Sequence, residues 1–110
     1  GLDICSFSFT PLNNAVGSVY SYNINEEKLR QIWHRQIVLV VDKKNTILGG
    51  ADNTVDNQCI FSDNTSIVDT CLNYLVLDLT LLSQRKKMNV QADISKMMSS
   101  KTDKLSNLLK

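Results

Sequence analysis

The chain has 110 residues, 43% of them apolar and 21% charged, a size and balance that supply one hydrophobic core and exclude both global disorder and two self-sufficient domains. A formal net charge of +1 excludes a strong general attraction to nucleic acid or anionic lipid. The sum hides an asymmetry: residues 1–84 hold five Lys/Arg against nine Asp/Glu, whereas residues 85–110 hold seven Lys/Arg against Asp93 and Asp103 alone.

In chain order, Ile4, Phe7 and Phe9 alternate with Ser6, Ser8 and Thr10 and predict a strand, ended by Pro11 and the Asn13-Asn14 pair. Val19-Tyr20-Ser21-Tyr22 after Gly17 predicts a second strand, so residues 1–23 read as an irregular hairpin with a long loop. Asn25 is a good helix cap and Glu26 and Glu27 suit a first turn, predicting a helix over residues 26–35. Its Leu29, Ile32 and Trp33 share one face, which is expected to meet a sheet.

Ile37, Val38, Leu39, Val40 and Val41 form an unbroken apolar run, and Asp42-Lys43-Lys44-Asn45 separates it from Thr46-Ile47-Leu48, the pattern of a β-hairpin. Without polar alternation the run reads as a core strand covered on both faces, with helices or another chain above and below. Gly49-Gly50 reads as a turn, and residues 52–66 as a polar loop with a short strand at Cys59-Ile60-Phe61.

Residues 67–82 satisfy two periods. Val68, Cys71, Leu72, Leu75, Leu79 and Leu82 recur helically, while Leu75, Leu77, Leu79 and Leu81 alternate as in a strand. Leucine propensity, capping residues at 64–66 and the cations of Arg85-Lys86-Lys87 at the far end favour a helix. Asp69, Asn73 and Asp78 interrupt the segment, so no membrane span is expected. From Asp93 onward, Ile94, Met97, Met98, Leu105, Leu108 and Leu109 make the apolar stripe of a weak amphipathic helix on a Ser- and Lys-rich background. The fold class is therefore α+β: a small antiparallel sheet with a short helix in the N-terminal half and one or two C-terminal helices. Residues 1–90 form the domain and residues 91–110 a helical tail.

The residues with chemical potential do not assemble a site. His34 is the single histidine, which excludes a three-histidine zinc site or a facial triad within one chain. Cys5, Cys59 and Cys71 are odd in number with no CxxC pair, so buried free thiols are expected, not a disulfide framework. Gly49-Gly50 lacks the lysine of a phosphate loop, and Asp52, Asp56 and Asp63 lack the spacing of a calcium loop. No cofactor, no metal and no enzymatic activity are expected. Asn64-Thr65-Ser66 matches the N-glycosylation pattern, but no signal peptide precedes it, and an intracellular protein, cytoplasmic or nuclear, is expected. An initial Gly1 in place of methionine fits a processed or excised segment.

The order of a short helix, the strand at residues 37–41, Asp42, a strand leading to Gly49 and then Cys59-Ile60-Phe61 resembles the first motif of the Sm and Sm-like proteins over residues 26–63. The resemblance implies a small bent barrel that joins others in rings. The places of that family's RNA-binding Asp and Asn hold Val55 and Cys59, and its later Arg-Gly signature is missing from residues 77–87. The resemblance thus implies an assembly subunit without those RNA contacts.

The sequence therefore predicts a non-enzymatic protein-interaction or assembly subunit, an adaptor in a homo- or hetero-oligomer, that binds partners through a sheet edge or through Ile94, Met97, Met98, Leu105, Leu108 and Leu109. The alternative is an Sm-like or other nucleic-acid-binding module using the basic C-terminal segment.

Overall fold

The computed structural model describes residues 3–32, 36–50, 58–98 and 108–110. The fold is α+β: a parallel pair β1 (Cys5–Ser8) and β2 (Ser18–Ser21), a short helix α1 (Glu26–Arg30), an antiparallel sheet of β3 (Gln36–Val41), β4 (Asn45–Gly50) and β5 (Cys59–Ser62), then the long helix α2 (Thr65–Lys86) and α3 (Gln91–Met98). The sheet is open, with β3 and β5 at its edges and β4 between them. It is not the closed barrel that the Sm resemblance implies.

The expected hairpin at residues 1–23 is instead a parallel pair, with Cys5 opposite Ser18 and Ser8 opposite Ser21. Parallel neighbours ordinarily need a long crossover. Here the chain turns back compactly because Asn14 and Gly17 take positive φ, 61° and 85°. Gly17 also lies against the backbone of Ile4, where any Cβ would collide.

Asn25 caps α1 as expected, its Oδ1 accepting from the N–H groups of Glu27 and Lys28 at 2.9 and 3.3 Å. The helix stops at Arg30, and Ile32, 78% exposed, does not join Leu29 on a face against a sheet. Trp33, His34 and Arg35 lie outside the described residues. The β3–β4 hairpin forms as read. Its turn closes with Lys44 N–H donating to Val41 C=O at 3.0 Å, and Asp42 and Lys43 both take positive φ, the backbone of a type I′ turn.

Gly49 and Gly50 are strand residues, not a turn. Gly49 pairs with Ile37 on one side and Cys59 on the other, and an added Cβ would fall 2.5 Å from Cys59 Sγ and 2.8 Å from Gln58 C=O. Close approach of β5 is what requires glycine there.

The ambiguous segment is helical. Asn64 Oδ1 accepts from Ser66 and Ile67 N–H at the start of α2, and Lys87, at φ 53°, ends it in the left-handed conformation. Val68, Cys71, Val76, Leu79 and Leu82 are its buried positions. Leu79 and Leu82, 1% and 0% exposed, join Val90 in a core cluster against which Cys5, Phe7, Tyr20, Tyr22, Ile94 and Met97 pack. The two sheets and α3 thus share α2 as their common support.

Candidate functional site

The run at residues 37–41 is not covered on both faces. Cross-strand partners place Val38, Val40, Thr46 and Leu48 on one face and Ile37, Leu39, Val41 and Ile47 on the other, with Cys59 and Phe61 continuing the second face on β5. α2 packs on the first face, where Thr46 is buried and its hydroxyl donates to Leu39 C=O at 3.0 Å. The second face lies open: Ile37 and Leu39 are each 49% exposed, Val41 47% and Phe61 68%. A sheet with two apolar faces has received one helical layer, over β3 and β4 of its first face, where Ile60 on β5 stays 61% exposed. Both faces are apolar, as the sequence implies, and within the chain α2 covers part of one.

α2 repeats the pattern on a smaller scale. Opposite its buried residues, Ile67, Tyr74, Leu77 and Leu81 are exposed at helical spacing. Among the described residues it is the one helix long and apolar enough to cross a membrane, with a mean hydropathy of 1.3 over 18 residues, and it carries Asp69 and Asp78 within that length. Burial pushes the Asp78 carboxyl above its ordinary range, against the opposing effect of a hydrogen bond with Tyr74.

The expected partner-binding stripe divides. Ile94 and Met97 are half-buried against the core cluster, so their apolar area is used within the chain. Met98 is half-buried at the end of α3, Leu105 lies outside the described residues, and Leu108 and Leu109 are exposed.

At the start of α3, Asp93 is buried, and Tyr20 Oη donates to its Oδ2 at 2.5 Å. This bond joins residues 73 apart in sequence and fastens α3 to β2. Nothing local in the sequence marks it. The same hydrogen bond, with desolvation, pushes the Tyr20 hydroxyl up to about 12, and burial with the nearby Asp93 charge pushes the Cys5 thiol up to about 11. A thiol held protonated is a poor nucleophile. Cys71 is buried and Cys59 exposed, and no disulfide joins them. Among the described residues no group of three metal-ligating side chains converges; Asp52 and Asp56 lie outside them.

The basic run ends α2. Arg85 lies over the Tyr22 ring at 5.8 Å and donates to its hydroxyl at 3.5 Å, and Arg85, Lys86 and Lys87 are all exposed. The arrangement offers apolar surface and a few structural polar bonds. No known protein family, curated protein or solved structure matches the chain.

Proposed function

We propose that the protein is a non-enzymatic interaction or assembly subunit that joins protein partners through the outer face of its three-stranded sheet. The single observation that carries this reading is the open apolar face of Ile37, Leu39, Val41 and Phe61, each about half or more exposed. Contiguous apolar surface on a small domain marks an interaction site more often than an isolated exposed residue does. Covering what remains exposed of these side chains contributes roughly 1 kcal/mol each at about 25 cal/mol per Å2, before the entropy of association is subtracted. The exposed stripe on α2 and the C-terminal Leu108 and Leu109 extend the same character.

Nucleic-acid binding is the weaker reading. Arg85, Lys86 and Lys87 are all exposed, with Arg85 over the Tyr22 ring, and a run of three cations is too short for a phosphate track. The test is capture of the intact protein from its native source beside a variant carrying Val41→Ser and Phe61→Ser. The wild-type protein retains a stoichiometric protein companion, or a second copy, and the variant loses it while keeping its helical and sheet content. Equal recovery with both proteins, or release of nucleic acid alone by raised salt, would overturn the proposal.

A further inference from the structure

Two cavities, of about 380 and about 950 Å3, adjoin along the boundary between the two sheets. Phe7 of β1, Val38 of β3 and Leu75 of α2 line both, so they are two stretches of one slot. β1 borders it along its whole length, as does β3 between Gln36 and Val40, while α2 contributes Leu72 and Leu75.

Among the described residues the bordering strands are each paired on one side only. On β1, the carbonyls of Ile4 and Ser8 accept from Ser18 and Tyr22, so its even-numbered backbone groups serve β2 and those of Cys5 and Phe7 point the other way. On β4, Gly50 N–H donates to Gln58 C=O, which assigns its even-numbered groups to β5 and its odd-numbered groups to β3. Through the register, Ile37, Leu39 and Val41 then serve β4, and the backbone groups of Val38 and Val40 point away from it. Unpaired rows of this kind are templates for an added strand.

The geometry points to an extended peptide segment of a partner protein as the occupant, paired with β3 or β1 and setting alternate apolar side chains on Leu72 and Leu75. Charge specifies its other positions. In the smaller cavity Glu26 and Asp78 accompany one cation, Arg30; in the larger, Asp3, Asp42 and Asp93 accompany two, Lys43 and Lys96. Arg30 pairs with Glu26 and Lys96 with Asp3, at 3.2 and 3.3 Å, which leaves an acidic excess. Asp93 already accepts from Tyr20, while Asp78 lines the smaller cavity and Asp42 the larger, so a Lys or Arg toward each end of the segment is favoured. This inference rests on the protein-interaction reading and assigns a second surface, which meets the outer sheet face at Ile37 and Leu39, to a partner of defined chemistry.

The probe is the blocked hexapeptide Ac-Val-Lys-Val-Thr-Val-Lys-amide, with two controls: glutamate in place of lysine, and methylated backbone nitrogens on alternate residues. Binding to the full chain is read by fluorescence anisotropy and by amide hydrogen exchange. The lysine peptide is expected to bind and to slow exchange at Val38, Val40 or Phe7, the glutamate peptide to bind about tenfold or more weakly, and the methylated peptide to lose binding. Absence of binding, equal binding of all three peptides, or protection confined to Phe61 would overturn the slot. Loss of the native companion in the Val41→Ser, Phe61→Ser variant, at two positions that line neither cavity, leaves the outer-face proposal standing in each of those cases, so the two failures are separable.

Discussion

Removing the Tyr20 hydroxyl by Tyr20→Phe leaves the aromatic ring in place and takes from Asp93 a donor 2.5 Å away. Asp93 is 9% exposed, so solvent replaces that donor poorly, and a hydrogen bond to a charged group at such a site contributes about 1–3 kcal/mol. For a domain of this size the loss lowers Tm by roughly 4–8 °C per kcal/mol. A double-mutant cycle with Asp93→Asn, followed by urea unfolding, isolates the pair from the packing of the ring. The pH profile supplies an independent sign. The Tyr20 hydroxyl is raised from 10.0 to about 12 in the fold, so its contribution is complete below about pH 10 and is lost as pH rises toward 12. Tyr20→Phe should flatten that alkaline loss. A coupling energy near zero, or an unchanged alkaline profile, would refute the claim that this bond fastens α3 to β2.

Three further outcomes follow from individual positions. Leu82→Ala, at a residue 0% exposed, should cost about 2–5 kcal/mol in urea unfolding, whereas Leu77→Ala, at 63% exposure on the other side of α2, should cost well under half as much. Lys43→Gly should stabilise the fold by about 1 kcal/mol, because Lys43 occupies φ 55° in the β3–β4 turn, where glycine carries no steric penalty. In the purified protein a thiol probe should label Cys59 fastest, with Cys5 and Cys71 slower, since Cys59 is exposed, the Cys5 thiol is pushed up to about 11 and Cys71 is buried.

The elements most legible in the sequence were those written in local chemistry. Asn25 and Asn64 announced their helices because a cap acts within three residues, and the Asp42-Lys43-Lys44-Asn45 break announced its hairpin. The double periodicity of residues 67–82 was also informative, for a helix apolar around much of its circumference is what supports two sheets on one side and leaves Leu77 and Leu81 outside. The nature of the cover was less legible. An unbroken apolar run tells which faces are apolar, not what lies on them, and within the chain α2 packs on one face while Ile37 and Leu39 on the other stay half exposed. The parallel pairing of β1 and β2 was hidden because Pro11 and Asn13-Asn14 look like a hairpin loop, while the direction of the return depends on backbone angles at Asn14 and Gly17. The Tyr20–Asp93 bond was invisible for a simpler reason: its partners are brought together only by the tertiary fold.

Cys59 lies on the outer face beside Phe61, two residues along the same strand, and its thiol is exposed. The rate at which it takes up a maleimide therefore reports directly on whether that face is covered. Labelling in a gentle native extract is expected to be several-fold slower than on the purified protein, with the fast rate restored when the assembly is dissociated by dilution. Labelling equally fast in both settings would contradict an outer face occupied by a partner.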